Sequence, residues 1–375
     1  MKKRSELYFV IIVAVAVVAM LLLPTGYENR ELTQNILYEK GRVTEVDNSE
    51  LSEISIVRLG EQRLQVDLLS GKLKGSRLEA KNHLLGDKRR DKIFEQDDKI
   101  LTMVRLNPDT GEIIEARAEE HYRQDLELLL LVIFVVALTI FAGRSGAKAA
   151  LSFIFTALSF WKLLIPALLA GHSPLMVSIG VVLVTTSVII LLVGGISRKG
   201  FVALAGAASG VVITALLALL FGHLFKIPGT VQEYSDALLY AGYAHLNFSE
   251  MLLSCIFISS AGAVMDIAMD IAASQAELRE TAPDLSRKKL IRSGLNIAAP
   301  VVGSMTTTLL FAYSGSFMFA LMAFMAQGVP LESIINRGYI ASEILLTMVG
   351  SFGLVLVAPV TALIGGYIFR GSSKR

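Results

Sequence analysis

Two aspartates, Asp266 and Asp270, stand four residues apart inside an apolar run from Met251 to Ala273. That spacing puts both on one face of a helix, one turn apart. An ionisable side chain in hydrocarbon costs at least several kcal/mol, about 2.5–3.5 on insertion scales, so it must face protein or water. Two carboxylates this close repel when both are ionised, which makes the pair a candidate proton or cation site. The plainer alternative is a wetted Asp270 at the cytoplasmic edge and an Asp266 that accepts a structural hydrogen bond. Lys162 lies a little past the middle of the run Ala149 to Ala170. From there its stem reaches the interface only marginally, so a carboxylate, a carbonyl or water inside the bundle is its expected partner. Trp161 and Pro166 beside it fit the other reading, a membrane boundary close by. Glu343 opens the last apolar run at its outer end, either in an external vestibule or simply solvated.

Other polar and small residues sit at the same depth. Thr306, Thr307 and Thr308, with Tyr313 and Ser314, make the run Pro300 to Ala326 unusually polar and are candidates to line a pathway. Gly206 and Gly210 form a small-xxx-small pair for close helix packing, and Gly262 in Ser259–Ala263 offers the same. Pro359 should kink the last run.

Several kinds of chemistry are missing. There is no GxxxxGK[ST] loop, no HExxH and no Gly-x-Ser-x-Gly, and His172, His223 and His245 fit no metal spacing. Cys255 is the single cysteine, which excludes an internal disulfide and a CxxC site. No nucleophile–base pair is recognisable, so an enzyme is not expected. Nor is a cofactor, a metal or a nucleic-acid partner.

The elements that must position these residues follow from composition. Of 375 residues, 53% are apolar and 18% charged, with a mean hydropathy of +0.59. The apolar excess gathers in runs long enough to cross a bilayer, which takes about 20 residues. Eight runs stand out: 7–23, 126–142, 149–170, 175–196, 201–221, 251–273, 300–326 and 341–369. Gly315 and the three threonines are expected to break the seventh. The fold expected is an α-helical polytopic membrane protein of about eight transmembrane helices with a small extracytoplasmic all-β domain. Its divisions are an anchor at 1–25, the β domain at 26–124 and a seven-helix domain at 125–375. The first run follows Lys2, Lys3 and Arg4. It reads as an uncleaved anchor rather than a signal peptide, because no A-x-A-type site ends it.

Between Pro24 and Asp125 there are 17 basic and 21 acidic residues. Short alternating stretches at 40–46, 54–59, 63–69, 77–83, 100–106 and 112–118 carry the period-two signature of strands. Gly60, Gly71, Gly75, Gly86 and Asn107–Gly111 punctuate them as turns. About five or six strands suggest a small barrel or sandwich of SH3-like or OB-like size. The alternative is a spacer with some strand content.

Basic residues set the orientation. Lys2, Lys3, Arg4, Arg144, Lys148, Arg198, Lys199, Arg279, Arg287, Lys288, Lys289, Arg292, Arg370, Lys374 and Arg375 fall on one side, against Lys226 and Arg337 in the short segments of the other. Basic short loops stay cytoplasmic, so both termini are expected inside and residues 26–124 outside. Residues 222–250 read as an interfacial helix with Tyr234, Tyr240 and Tyr243 in an aromatic belt, or as an ordinary surface connection. Residues 275–293 read as a polar cytoplasmic loop whose basic cluster touches anionic lipid or only sets topology.

The runs Gly262-Ala-Val-Met-Asp266-Ile-Ala-Met-Asp270-Ile-Ala-Ala-Ser274 and Gly303-Ser-Met-Thr-Thr-Thr-Leu-Leu-Phe-Ala-Tyr313 resemble the YibE/F family of bacterial polytopic membrane proteins, as do Leu164–Gly171 and Leu69–Gly75. The resemblance implies a bacterial plasma-membrane permease of unspecified substrate and matches Asp266 to the family's aspartate. Thr307 stands where the family pattern carries asparagine, and Asp270 where serine is common. The leading expectation is therefore an ion-coupled secondary transporter or exporter of a small solute. Asp266 is its ion-linked group, Lys162 its partner and Thr306–Thr308 part of the pathway. It sits in the lipid bilayer, alone, as a homo-oligomer or with a related membrane subunit. The rival is a non-transporting envelope protein whose external domain binds a partner or wall component.

Overall fold

A computed structural model describes residues 2–27 and 35–369 of the chain. Arg370, Lys374 and Arg375, the last members of the basic series, lie outside the described residues, as do the side chains of Lys2 and Lys3. Two compact units emerge, Tyr27–Ala137 and Met1–Gly26 with Leu138–Arg375.

The first unit is a closed five-stranded barrel: β1 (Ile36–Ile54), β2 (Val57–Leu68), β3 (Arg77–Leu85), β4 (Lys99–Leu106) and β5 (Ile113–His121), in the order β1-β2-β3-β5-β4. All neighbours are antiparallel except β3 and β5, which meet through Lys81 and Arg117. Closure removes the unpaired edges that a five-stranded open sheet would expose, and the Greek-key order is of the OB type. Alternate residues point inward, with Val43, Leu64, Val66, Leu68, Ala80, Ile100 and Val104 at 1% exposure or less. Phe94, from the β3–β4 connection, plugs this core. Its backbone is tied by Gln62, whose Nε2 donates to the Phe94 carbonyl at 2.9 Å while its Oε1 accepts from Phe94 N and Asn82 Nδ2, each at 3.1 Å. The stretch expected as a separate strand at 54–59 is instead the β1–β2 hairpin: Ile54 pairs Val57 around a turn in which Ser55 has φ 58°. The Leu69–Gly75 run is a turn wrapped on a buried acid. Glu39 is 3% exposed and its carboxylate accepts from Leu73 N at 3.1 Å. A Cβ on Gly71, at φ 74°, would lie 2.4 Å from that carboxylate.

The second unit is helical. Its elements are α1 (Lys2–Leu22), α2 (Gln124–Ser159, entering from the first unit), α3 (Ile165–Leu169), α4 (Pro174–Val193), α5 (Arg198–Phe225), α6 (Ser235–Tyr240), α7 (Phe248–Thr281), α8 (Arg287–Ala326), α9 (Leu331–Ile335) and α10 (Gly338–Ile368). Among the described residues, seven helices are long and apolar enough to cross a membrane. Eight were expected. The difference is at 126–142 and 149–170, which fall in one helical run, Gln124–Leu169. That run is two helices joined at Gly143, whose φ 55°, ψ −128° is a glycine conformation. Eight residues along a straight helix span about 12 Å, yet a Cβ on Gly146 would lie 2.1 Å from the Leu138 carbonyl oxygen. The chain therefore doubles back at Gly143.

Three other expectations change. The run 300–326 is not broken: α8 continues through Pro300, the threonines and Gly315. The loop at 275–293 shrinks to residues 282–286, because α7 and α8 both extend into it. The charged ends of two long helices replace a loop, each capped by its own chain: Ser286 Oγ accepts from Lys289 N at 3.4 Å. Within 222–250, between the end of α5 at Phe225 and the start of α7 at Phe248, the α-helix is the six-residue α6, with Tyr234 and Tyr240 well exposed, so the surface connection describes it better.

The core lies among α5, α7, α8 and α10, with Val264, Ile267, Ala268, Val357 and Ala362 fully buried. α1 packs beside it: Val13, Val17 and Met20 meet Phe155 and Leu192. Glu6 pairs with Lys148 at 3.5 Å near the start of that helix.

Candidate functional site

Packing glycines set the level of each polar residue. A Cβ on Gly210 would stand 2.5 Å from Val264 and 2.8 Å from Val357, and one on Gly206 would stand 2.2 Å from Thr361 Oγ1. At these two positions α5, α7 and α10 touch backbone to side chain, and only glycine fits. Gly210 is about 18 Å along α5 from Arg198 at 1.5 Å per residue. Asp266, half a turn past Val264, thus lies about 15 Å from the level of Arg198, a little over a third of the way along α5. Asp270 lies about 6 Å nearer that end.

Both aspartates are exposed on the surface of the bundle, and neither has a hydrogen-bond or ion-pair partner among the described residues. They belong to an uncovered stripe of α7 with Cys255, Ser259, Gly262 and Ala273. The spacings of three and four residues place all six on one helical face. Gly262 has open space where a Cβ would go, so it does not serve the close packing expected of it within this chain. Asp266 was expected to find a partner inside the bundle. It does not, because the other faces of α7 are filled by apolar side chains of its neighbours.

Lys162 is not that partner. It sits in a π-helical turn, Phe160–Leu164, and its Nζ donates to the Leu23 carbonyl at 2.8 Å. The extra residue of the turn aims it at the end of α1, where the last carbonyls lack intrahelical donors. A cation there also meets the negative end of the helix dipole. Among the partners expected for Lys162, a carbonyl is present, at Leu23.

Thr306, Thr307 and Thr308 bond back to their own helix, to Gly303 O at 2.9 and 3.4 Å and to Ser304 O at 3.1 Å. Thr307 and Thr308 are exposed and Thr306 half-buried. A threonine that satisfies itself this way suits an apolar surround and retains lone pairs for a solute.

Glu343 is neither in an open vestibule nor solvated. It is 9% exposed, held between α10 and α8, with Oε2 3.4 Å from Ser316 Oγ. Contacts give its height: Gly350 of α10 meets Ser260 of α7, and Glu343 is two turns outward of Gly350. It stands about 20 Å from the level of Asp266 along the helix axes.

Gln275, expected to open a polar loop, instead lies at 0% exposure inside α7. Its Nε2 donates to Leu290 O of α8 at 3.2 Å and Ala362 O of α10 at 3.0 Å. Gly294 and Gly365 make room for it. The signal available was its spacing of seven and four from Ala268 and Ile271, both on the buried face.

The fold and site together define an α-helical bundle, with seven helices among the described residues long and apolar enough to cross a membrane, an acid-bearing stripe on α7, and a β-barrel as a separate unit. A family model described as YibE/F-like protein matches residues 130–371, and the chain belongs to the YibE/F-like family. The match spans most of the bundle; the barrel, including Leu69–Gly75, lies outside it. Neither the curated proteins nor the solved structures contain a match to this chain.

Proposed function

We propose that this protein is an ion-coupled secondary transporter or exporter of a small solute in the bacterial plasma membrane, with Asp266 as the ion-linked group. Its termini are cytoplasmic and its barrel lies outside. One observation carries the reading: two partnerless carboxylates share one face of α7, one of them about 15 Å along α5 from Arg198, inside the apolar part of the bundle. In hydrocarbon that arrangement costs several kcal/mol, roughly 2.5–3.5 per charge on insertion scales. Water, a bound cation or a neighbouring subunit must therefore stand against the stripe. The thin cover of α8, of which only Leu290, Gly294, Ala298 and Leu309 are buried, leaves room for one. Thr307 and Thr308 on its exposed surface add hydroxyls to the route.

The test uses the full chain in liposomes, reading sodium-22 uptake and the signal of an entrapped pH dye. Asp266→Asn should abolish the sodium- or proton-dependent flux that the wild-type protein gives. Unchanged flux means Asp266 is not the coupling group. A membrane-impermeant thiol reagent should modify Cys255, on the same stripe, if water reaches it.

A second reading, an envelope protein that works through its barrel, rests on an open cavity of about 340 Å³ lined by Glu53, Ile56, Arg58, Leu84, Lys88 and Ile93. Deleting residues 30–120 separates the two: flux that survives the deletion favours transport with an accessory barrel.

A further inference from the structure

Glu343 makes a demand that the rest of the chain does not meet. The residue is nine-tenths buried and its carboxylate forms no ion pair among the described residues. Its one polar contact is Ser316 Oγ at 3.4 Å. Ser316 has a single hydroxyl hydrogen, and a better acceptor takes it: the Tyr313 carbonyl at 2.7 Å. The 3.4 Å approach then brings two oxygens together with no hydrogen between them, which is unfavourable unless a positive charge joins them. A second group points to the same missing charge. The Tyr313 hydroxyl oxygen is buried and makes no well-formed hydrogen bond among the described residues, with the Ser259 hydroxyl of α7 the side chain in reach of it. It lies within electrostatic reach of Glu343. A buried polar atom left without a well-formed bond costs about 1–3 kcal/mol, and the Tyr313 hydroxyl is such an atom close to the ill-matched Glu343–Ser316 pair.

The surroundings supply no cation of their own. Cys255 of α7, Tyr313 of α8 and Tyr339 of α10 are the titratable groups that feel Glu343, and Glu233 in turn acts on Tyr339. Tyr339 donates to the Ser316 carbonyl at 3.5 Å, which helps fix the turn that carries Ser316. The side chains of α5 and α7 at this level, Leu217, Ala218, Phe221 and Ile256, are apolar.

We propose that Glu343, with Tyr313 and Ser316, forms a binding site for a single positive charge, a proton or an alkali cation, in the outer part of the α7–α8–α10 bundle. The ligand supplies what the geometry lacks. A proton on the carboxyl donates to Ser316 Oγ, and an alkali ion takes Glu343 and Ser316 as oxygen ligands with the Tyr313 hydroxyl as a third. The site deepens the transport reading by adding an outer station about 20 Å from Asp266. Its test reads binding, not flux, so the two can fail separately.

The full chain, purified in detergent, is treated with dicyclohexylcarbodiimide across a pH series, with sodium chloride or choline chloride, and the adduct is located by mass spectrometry. Labelling of Glu343 that falls as pH rises and ignores sodium identifies a proton. Labelling that sodium suppresses and choline does not identifies an alkali ion. No labelling of Glu343 in any condition, or labelling indifferent to both pH and sodium, overturns the proposal. A second measurement guards against a reagent artefact. The thermal unfolding temperature of the wild-type protein should rise with the identified ligand, as expected when a ligand binds only the folded state. Glu343→Gln should lose that rise and Tyr313→Phe should reduce it. Equal responses in wild type and Glu343→Gln refute the site.

Discussion

Substituting Gly210 and Gly262 by alanine, one at a time, tests whether α5, α7 and α10 meet as described and whether the acid-bearing stripe is truly open. In Gly210→Ala the new methyl would stand 2.5 Å from Val264 Cγ1 and 2.8 Å from Val357 Cγ2. Carbon atoms prefer about 3.5–4.0 Å, so both neighbours must yield by about an ångström. Both side chains are fully buried and cannot swing away. Overpacking of this kind costs roughly 1–3 kcal/mol, against about 1 kcal/mol gained from alanine's better helix propensity. With two buried side chains displaced the clash wins, and the net loss should be up to about 2 kcal/mol. Val264→Ala in the same chain should recover part of it. Gly262→Ala meets open space, so only the propensity term remains and the variant should gain up to about 1 kcal/mol. Detergent-driven unfolding of the purified full chain, followed by circular dichroism, measures both. A Gly210→Ala variant as stable as wild type would refute the three-helix contact. A destabilised Gly262→Ala would show that a neighbouring subunit packs on the stripe.

Gln275→Met keeps the volume and removes two hydrogen bonds between helices; the same unfolding assay should show a loss of about 1 kcal/mol, the scale of such bonds between membrane helices, and no loss would mean the clasp is idle. Gly143→Ala puts a Cβ on a backbone at φ 55°, ψ −128° and should cost about 1–3 kcal/mol, with greater proteolysis near residue 143; an unchanged digest would argue against the reversal there. Barrel stability should fall in acid. Hydrogen bonding by Lys81 lowers the Glu61 carboxyl below its ordinary 4.5, and Arg77 lowers Asp67 below 3.8. Depressed carboxylates stabilise the folded state above their unfolded values, and that contribution is lost as pH falls through the lower folded ones. Hydrogen exchange of β2 and β3 amides should therefore quicken below about pH 4, and less so in Glu61→Gln.

Much of this was legible from residue order. A run of about 20 apolar residues has few other fates, so the helices at 7–23, 175–196, 201–221, 251–273 and 341–369 follow from composition. Period-two alternation fixed which barrel residues point inward, because a strand has only two faces. The Gly206–Gly210 spacing marked a close helix approach, and the contacts with Thr361, Val264 and Val357 are that approach.

What only the tertiary structure decided concerns partners and faces. Hydropathy separated the runs 126–142 and 149–170, but not how tightly the chain turns between them, since the reversal depends on the backbone torsions of Gly143. It could not show that Lys162 reaches the Leu23 carbonyl instead of a carboxylate, because the π turn that aims it depends on how α1 lies against α2 and α3. Spacing put Asp266 and Asp270 on one face of α7, as it must on any helix, but not which neighbours would leave that face bare. Glu343 sits two and three residues before Leu345 and Leu346, which pack inward, and only the arrival of α8, some 27 residues away in sequence at Ser316, turns a helix-end acid into a buried one. Local periodicity fixes direction around one helix axis; which side is covered depends on contacts between residues far apart in the chain.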